Sequence, residues 1–167
     1  MTSTSQPAKP GYQQLIWIIC AIAPVVAASL LGGRATFSEI PTWYAGLTKP
    51  WFSPPNWVFG PVWTALYALM AFAFWRILRL PASTQGRGAA VIWFLVQIAL
   101  NILWSFAFFA WHSPGSGLAV VVLMWLAIAA TIGAFGKLDA VAAWCLAPYI
   151  VWVSFAAALN FAIWRLN

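Results

Sequence analysis

The groups placed where chemistry could occur in this chain are amides and large aromatics, with no acid or base among them. Gln97 and Asn101 stand four residues apart, and Trp104 and Phe108 continue the same helical face. An uncharged amide inside an apolar segment needs a partner, because leaving it unpaired costs a few kcal/mol. Two readings stay open for the pair: a polar tie between helices, or a contact for a ligand lodged among them. Phe59, Trp63, Tyr67 and Met70 form a second such face, and Tyr149, Trp152, Ala156 and Asn160 a third. Three faces of this kind describe either an aromatic core or the walls of a pocket for a flat, largely apolar ligand. In the pocket reading Ala156 matters because a small side chain keeps the space open.

Other chemistries are poorly served. Cys20, Cys145 and His112 are too scattered to form a metal site at recognisable spacing. The cysteines read as packing groups and His112 as a polar residue at a helix end. No nucleophile–base pair or carboxylate dyad is visible, which argues against hydrolysis. Proton relays and ion-coupled carriers place ionisable groups within their spans, and the middle of each apolar stretch here is free of them. The expectation is that no cofactor or metal is required.

The elements that must position these faces follow from composition. Of 167 residues 64% are hydrophobic and 6% charged, where a soluble domain carries roughly a quarter charged. Apolar stretches at about 15–33, 59–78, 89–111, 117–135 and 141–164 each approach the ~20 residues that cross a bilayer. The sequence therefore predicts an all-α membrane protein, a five-transmembrane-helix bundle. Residues 1–12 read as a polar tail and 13–167 as one domain. The net charge of +6 falls at the ends of the spans, as topology signals do, so nucleic acid is not an expected partner. Lys9, Arg76, Arg79, Arg87 and Lys137 fall on one side, and Arg34, Lys49 and Arg165 on the other. That balance leans towards a cytoplasmic N-terminus. Trp75-Arg76 and Trp164-Arg165 end their helices as interfacial anchors.

Three connections are short, which sets consecutive helices side by side and antiparallel. The connection at 34–58 is long, and long loops in compact folds are functional or disordered. This one is rich in Trp and Pro, so it reads as a structured cover over one end of the bundle. Pro50, Pro54 and Pro55 suppress helix there, and Pro61 falls in the first turn of the next span, where its missing N–H costs little.

The pattern Trp43-Tyr44, Lys49-Pro50-Trp51, Pro54-Pro55 and Trp63 carries a resemblance. It continues through Gln97-x-x-x-Asn101-x-x-Trp104, Pro148-Tyr149-x-x-Trp152 and Leu159-Asn160-Phe161. Over about residues 12–167 the chain resembles the translocator protein family (TspO/MBR), also called tryptophan-rich sensory proteins or peripheral benzodiazepine receptors.

The resemblance implies a five-helix bundle, commonly a homodimer, with a pocket under the long loop. It implies a receptor or sensor for porphyrins and related tetrapyrroles, such as protoporphyrin or haem, and for isoquinoline carboxamides or benzodiazepines, with sterols in animals. Trp51, Phe59, Trp63, Tyr67, Asn101, Trp104, Tyr149, Trp152 and Ala156 match the family's pocket, and the spacing adds Gln97. Trp63 and Trp152 match two tryptophans implicated in light-dependent porphyrin breakdown, an enzymatic alternative to binding. A tetrapyrrole or sterol carrier is the other alternative. Phe161 stands where the animal sterol motif has Tyr, and Phe52 where many relatives carry Trp. With no evident presequence, the expected location is a bacterial membrane.

Overall fold

The computed structural model describes residues 11–167. Its elements are α1 (Gly11–Phe37), α2 (Trp43–Gly46), a 3₁₀ turn (Asn56–Val58), α3 (Phe59–Leu78), α4 (Arg87–Ser105), a π turn (Phe106–Ala110), α5 (Pro114–Gly136), α6 (Ala140–Cys145) and α7 (Ala147–Leu166). Together they make five helical spans long and apolar enough to cross a bilayer, with α6 and α7 forming the last. The protein is thus a multi-pass membrane protein built as a five-helix bundle. Residues 1–10 of the expected tail lie outside the described residues, whereas Gly11 and Tyr12 already belong to α1. Nothing between Gly11 and Leu15 stops the helix short.

Local sequence sets each boundary. Pro24 lies inside α1 without ending it, as spanning helices tolerate. Pro61 occupies the first turn of α3. Pro114 opens α5 behind Ser113, whose hydroxyl accepts from the Ser116 N–H at 3.4 Å. Asp139 caps α6 by accepting from the Ala142 N–H at 3.1 Å. The last span breaks at Leu146, before Pro148, which has no N–H to continue the ladder.

The two ends of the bundle differ. At the α3 C-terminal end Phe74 stacks on Phe94 with centroids 4.0 Å apart, and Phe94 faces Phe135 at 6.0 Å. Met70, Ile77, Met124 and Ile128 belong to the same buried core. Arg76 reaches across to Asp139 at 2.7 Å. Burial pushes the Asp139 carboxyl up, but the hydrogen bonds and charge of Arg76 and the helix-end amides outweigh it, leaving it below the usual carboxylate range. Arg87 donates to the Ile77 and Leu78 carbonyls, satisfying the end of α3. The other end, under the long loop, is less densely filled, and there the candidate site lies.

Candidate functional site

The long loop folds onto the bundle as its sequence predicts. Tyr44 on α2 is buried, with Phe108 and Phe109 against its ring at 6.3 and 5.7 Å. Trp43 stacks on His112 at 4.6 Å with planes 14° apart, and His112 pairs with Glu39 at 2.8 Å. His112 adopts a left-handed backbone (φ 50°) at the turn between the π turn and α5, which turns its ring towards the loop. The hydrogen bond to His112 holds the Glu39 carboxyl below its ordinary range. Asn167 secures the far part of the loop: its Oδ1 accepts from the Thr48 N–H at 3.0 Å, and its Nδ2 donates to the Thr48 carbonyl at 3.1 Å.

Beneath this lid is a cavity of about 250 Å³. α3 supplies Phe59, Gly60, Trp63, Thr64 and Tyr67; α4 and the π turn supply Trp104, Ser105, Phe108 and Phe109; α7 supplies Ala156, Leu159, Asn160 and Ile163. The π turn is marked by the Trp111 N–H donating to the Phe106 carbonyl at 2.8 Å, five residues back. That wider turn brings two consecutive residues, Phe108 and Phe109, to the wall. None of the lining residues carries a charge.

A neutral network closes the floor. The Tyr67 hydroxyl donates to Asn101 Oδ1 at 2.9 Å, and Asn101 Nδ2 donates to the Tyr149 hydroxyl at 3.3 Å. Tyr149 in turn donates to Met124 Sδ at 3.5 Å. On the wall, Trp104 Nε1 donates to Asn160 Oδ1 at 3.1 Å, and Asn160 Nδ2 donates to the Pro114 carbonyl at 2.7 Å. These bonds fix the Trp104 and Tyr67 rings at defined angles, since both polar ends are held.

The expected site residues fall into groups. Phe59, Trp63, Tyr67, Trp104 and Ala156 line the cavity, with Ala156 8% exposed. Asn101 and Tyr149 lie just behind as the floor. Trp152 is outside the lining but meets Phe59 at 5.9 Å. It borders a separate apolar groove between α3 and α7. Gln97 is 1% exposed, and neither its Oε1 nor its Nε2 has a hydrogen-bond partner among the described residues. Trp51 is 96% exposed, with Phe52 edge-on at 5.8 Å, and does not line the cavity.

Sequence reasoning missed the contribution of α1: Ser29, Gly32, Gly33 and Thr36 also face the cavity. Their signal was available. In an otherwise apolar span these small and hydroxyl residues recur at i, i+3, i+4 and i+7, which is one helical face.

Comparison with known proteins agrees with this architecture. The TspO/MBR family profile matches residues 20–165. The chain is 44% identical over 125 residues to the tryptophan-rich sensory protein of Cereibacter sphaeroides, covering 75% of this chain and 77% of that protein. It is 36% identical over 155 residues to the tryptophan-rich protein TspO of Chlorobaculum tepidum, covering 93% and 98%. With the human translocator protein it shares 36% identity over 138 residues, 82% of each chain. A lidded five-helix bundle with these matches along most of its length belongs to the TspO/MBR family.

Proposed function

We propose that this family member is a membrane receptor or sensor that holds porphyrins and related tetrapyrroles in the cavity under the long loop. In this reading it resides in a bacterial membrane as a homodimer with a cytoplasmic N-terminus. The observation that carries the proposal is the uncharged aromatic wall of Phe59, Trp63, Tyr67, Trp104 and Phe108. Such a wall offers a flat conjugated ring dispersion contact and stacking without the cost of burying an unpaired charge. The volume of about 250 Å³ is just under the ~300–1,000 Å³ usual for small-molecule sites. A macrocycle therefore inserts one side and leaves an edge at the mouth. Isoquinoline carboxamides and benzodiazepines fit the same description.

The test is titration of the purified protein with protoporphyrin, read by quenching of tryptophan fluorescence. Ala156→Phe, which fills the cavity from α7, should abolish binding while the circular dichroism and unfolding temperature stay near those of the parent. Unchanged affinity in that variant would place the ligand elsewhere.

A further inference from the structure

We propose that the ligand enters sideways, from the bilayer leaflet on the lid side, between α1 and α3, and not through the loop. This rests on the reading of the cavity as a ligand site. The loop is tied down at separated points: Glu39 to His112 at 2.8 Å, Trp43 stacked on His112 at 4.6 Å, and Thr48 to Asn167 through two hydrogen bonds. Between these ties Tyr44 is buried against the bundle. Entry from the aqueous end would have to break several of them at once.

The flank between α1 and α3 is different. Ser29 on α1 and Gly60 and Thr64 on α3 belong to the cavity lining, and all three are exposed, whereas Ser105 and Asn160 behind them are buried. Phe37 and Asn56, at the loop end of the same flank, line the cavity and are exposed as well, so the mouth runs down the side of the bundle between α1 and α3. It is also deep: Ser29 precedes Arg34 by five residues, about 7.5 Å along a helix. With Arg34 at headgroup level, Ser29 faces acyl chains.

The rim suits an apolar visitor. Thr36 and Thr64 donate back to the Gly32 and Gly60 carbonyls at 2.8 and 2.9 Å, so neither hydroxyl needs water. Gly60, where an added Cβ meets nothing within 4 Å, keeps the rim low. On the α3–α7 side, Phe59 against Trp152 at 5.9 Å and Trp63 against Tyr149 at 6.2 Å stand between the cavity and the separate apolar groove. A ligand that already partitions into lipid thus meets an open side beside a tied loop.

Stopped-flow quenching by protoporphyrin in phosphatidylcholine nanodiscs tests this. Ser29→Trp and Gly60→Trp narrow the mouth, and the first side-chain atom at Gly60 meets nothing within 4 Å; circular dichroism checks that both variants fold. Association and dissociation should both slow by about tenfold, because narrowing a route changes both rates together. In a background lacking Cys20 and Cys145, Thr48→Cys with Asn167→Cys, joined by a short thiol cross-linker, locks the loop and should leave both rates unchanged. Slow binding in the locked loop with normal rates in the mouth variants would overturn the proposal, as would mouth variants that lose affinity at unchanged association rate. Running the same set with an isoquinoline carboxamide separates the two readings. Failure of the porphyrin alone to bind the parent overturns its assignment as ligand, while the rates with the second probe still decide the route.

Discussion

The Tyr67 hydroxyl and the Asn101 side-chain carbonyl, 2.9 Å apart, join α3 to α4 at the floor of the cavity. Asn101 reaches Tyr149 on α7 with its other end, so one amide ties three helices. The glue and ligand-contact readings of this amide both depended on where its partners lay. Two tyrosines now hold it beneath the lining.

Asn101→Leu should therefore destabilise the fold by about 1–3 kcal/mol, since it leaves the buried Tyr149 hydroxyl without its donor and Tyr67 without its acceptor. Tyr67→Phe should cost less, because Asn101 keeps its bond to Tyr149. Thermal unfolding in detergent ranks the two, and an equal or reversed order would mean that the network is not shared in this way.

Gly117 on α5 is a second point where the wall has no slack. A Cβ there would meet Asn160 Oδ1 at 2.9 Å and Phe108 Cβ at 3.0 Å, and Asn160 is already held by Trp104 and Pro114. Gly117→Ala should lower stability by about 1–3 kcal/mol, as overpacking does, and weaken protoporphyrin binding by displacing Trp104. Normal binding and stability would show that the π turn yields freely.

Gln97 bears on the opposite sign. Its amide is buried with both polar atoms unpaired among the described residues, a cost of about 1–3 kcal/mol. Gln97→Met, of similar shape, should raise the unfolding temperature. A drop would mean that the amide is engaged in the working protein.

At the other end, acid should loosen the link between Arg76 and Asp139. The Asp139 carboxyl is held below its ordinary range in the folded protein. Its contribution is thus present at neutral pH, above the unfolded value of about 3.9, and is lost as pH falls through the lower folded value. The pair is partly solvent-exposed, so about 1 kcal/mol or less is at stake. Asp139→Asn should remove this part of the acid sensitivity; an identical pH profile in both proteins would assign it elsewhere.

A light-dependent reaction, if the family's photochemical alternative operates here, should depend unequally on the two tryptophans. Trp63 is on the cavity wall, while Trp152 is one ring removed behind Phe59. Trp63→Phe should abolish light-dependent loss of protoporphyrin, and Trp152→Phe should leave most of it. Equal effects would argue that the porphyrin also reaches the α3–α7 groove.

Much of the fold was legible because hydrophobic length is a direct record of bilayer thickness. The span 59–78 coincides with α3, whereas 141–164 reads as one stretch although the helix breaks at Leu146, before Pro148. The aromatic faces of α3, α4 and α7 could be read from period alone, since Trp63, Trp104 and Ala156 recur on them. Phe109 could not, because the π turn adds a residue to the period and no local pattern announces it. The face of α1 was overlooked for another reason: Gly32 and Gly33 present no side chain to arouse interest, although both line the cavity and a Cβ at Gly32 would meet Ser105 at 3.0 Å. The position of Trp51 depended on the path of a proline-rich loop, which is set by its ties at Glu39, Trp43 and Thr48 and not by any periodicity.

The uncharged lining has an electrical consequence. Among the described residues, none that lines the cavity carries a charge that could be displaced when the site fills or empties. Moving one elementary charge across the whole membrane is worth about 2.3 kcal/mol per 100 mV, and the protein contributes no such displacement from its cavity wall. If the cavity holds a ligand as proposed, any voltage dependence of its occupancy comes from the ligand's own charge, such as a porphyrin's carboxylates, and not from the wall that surrounds it.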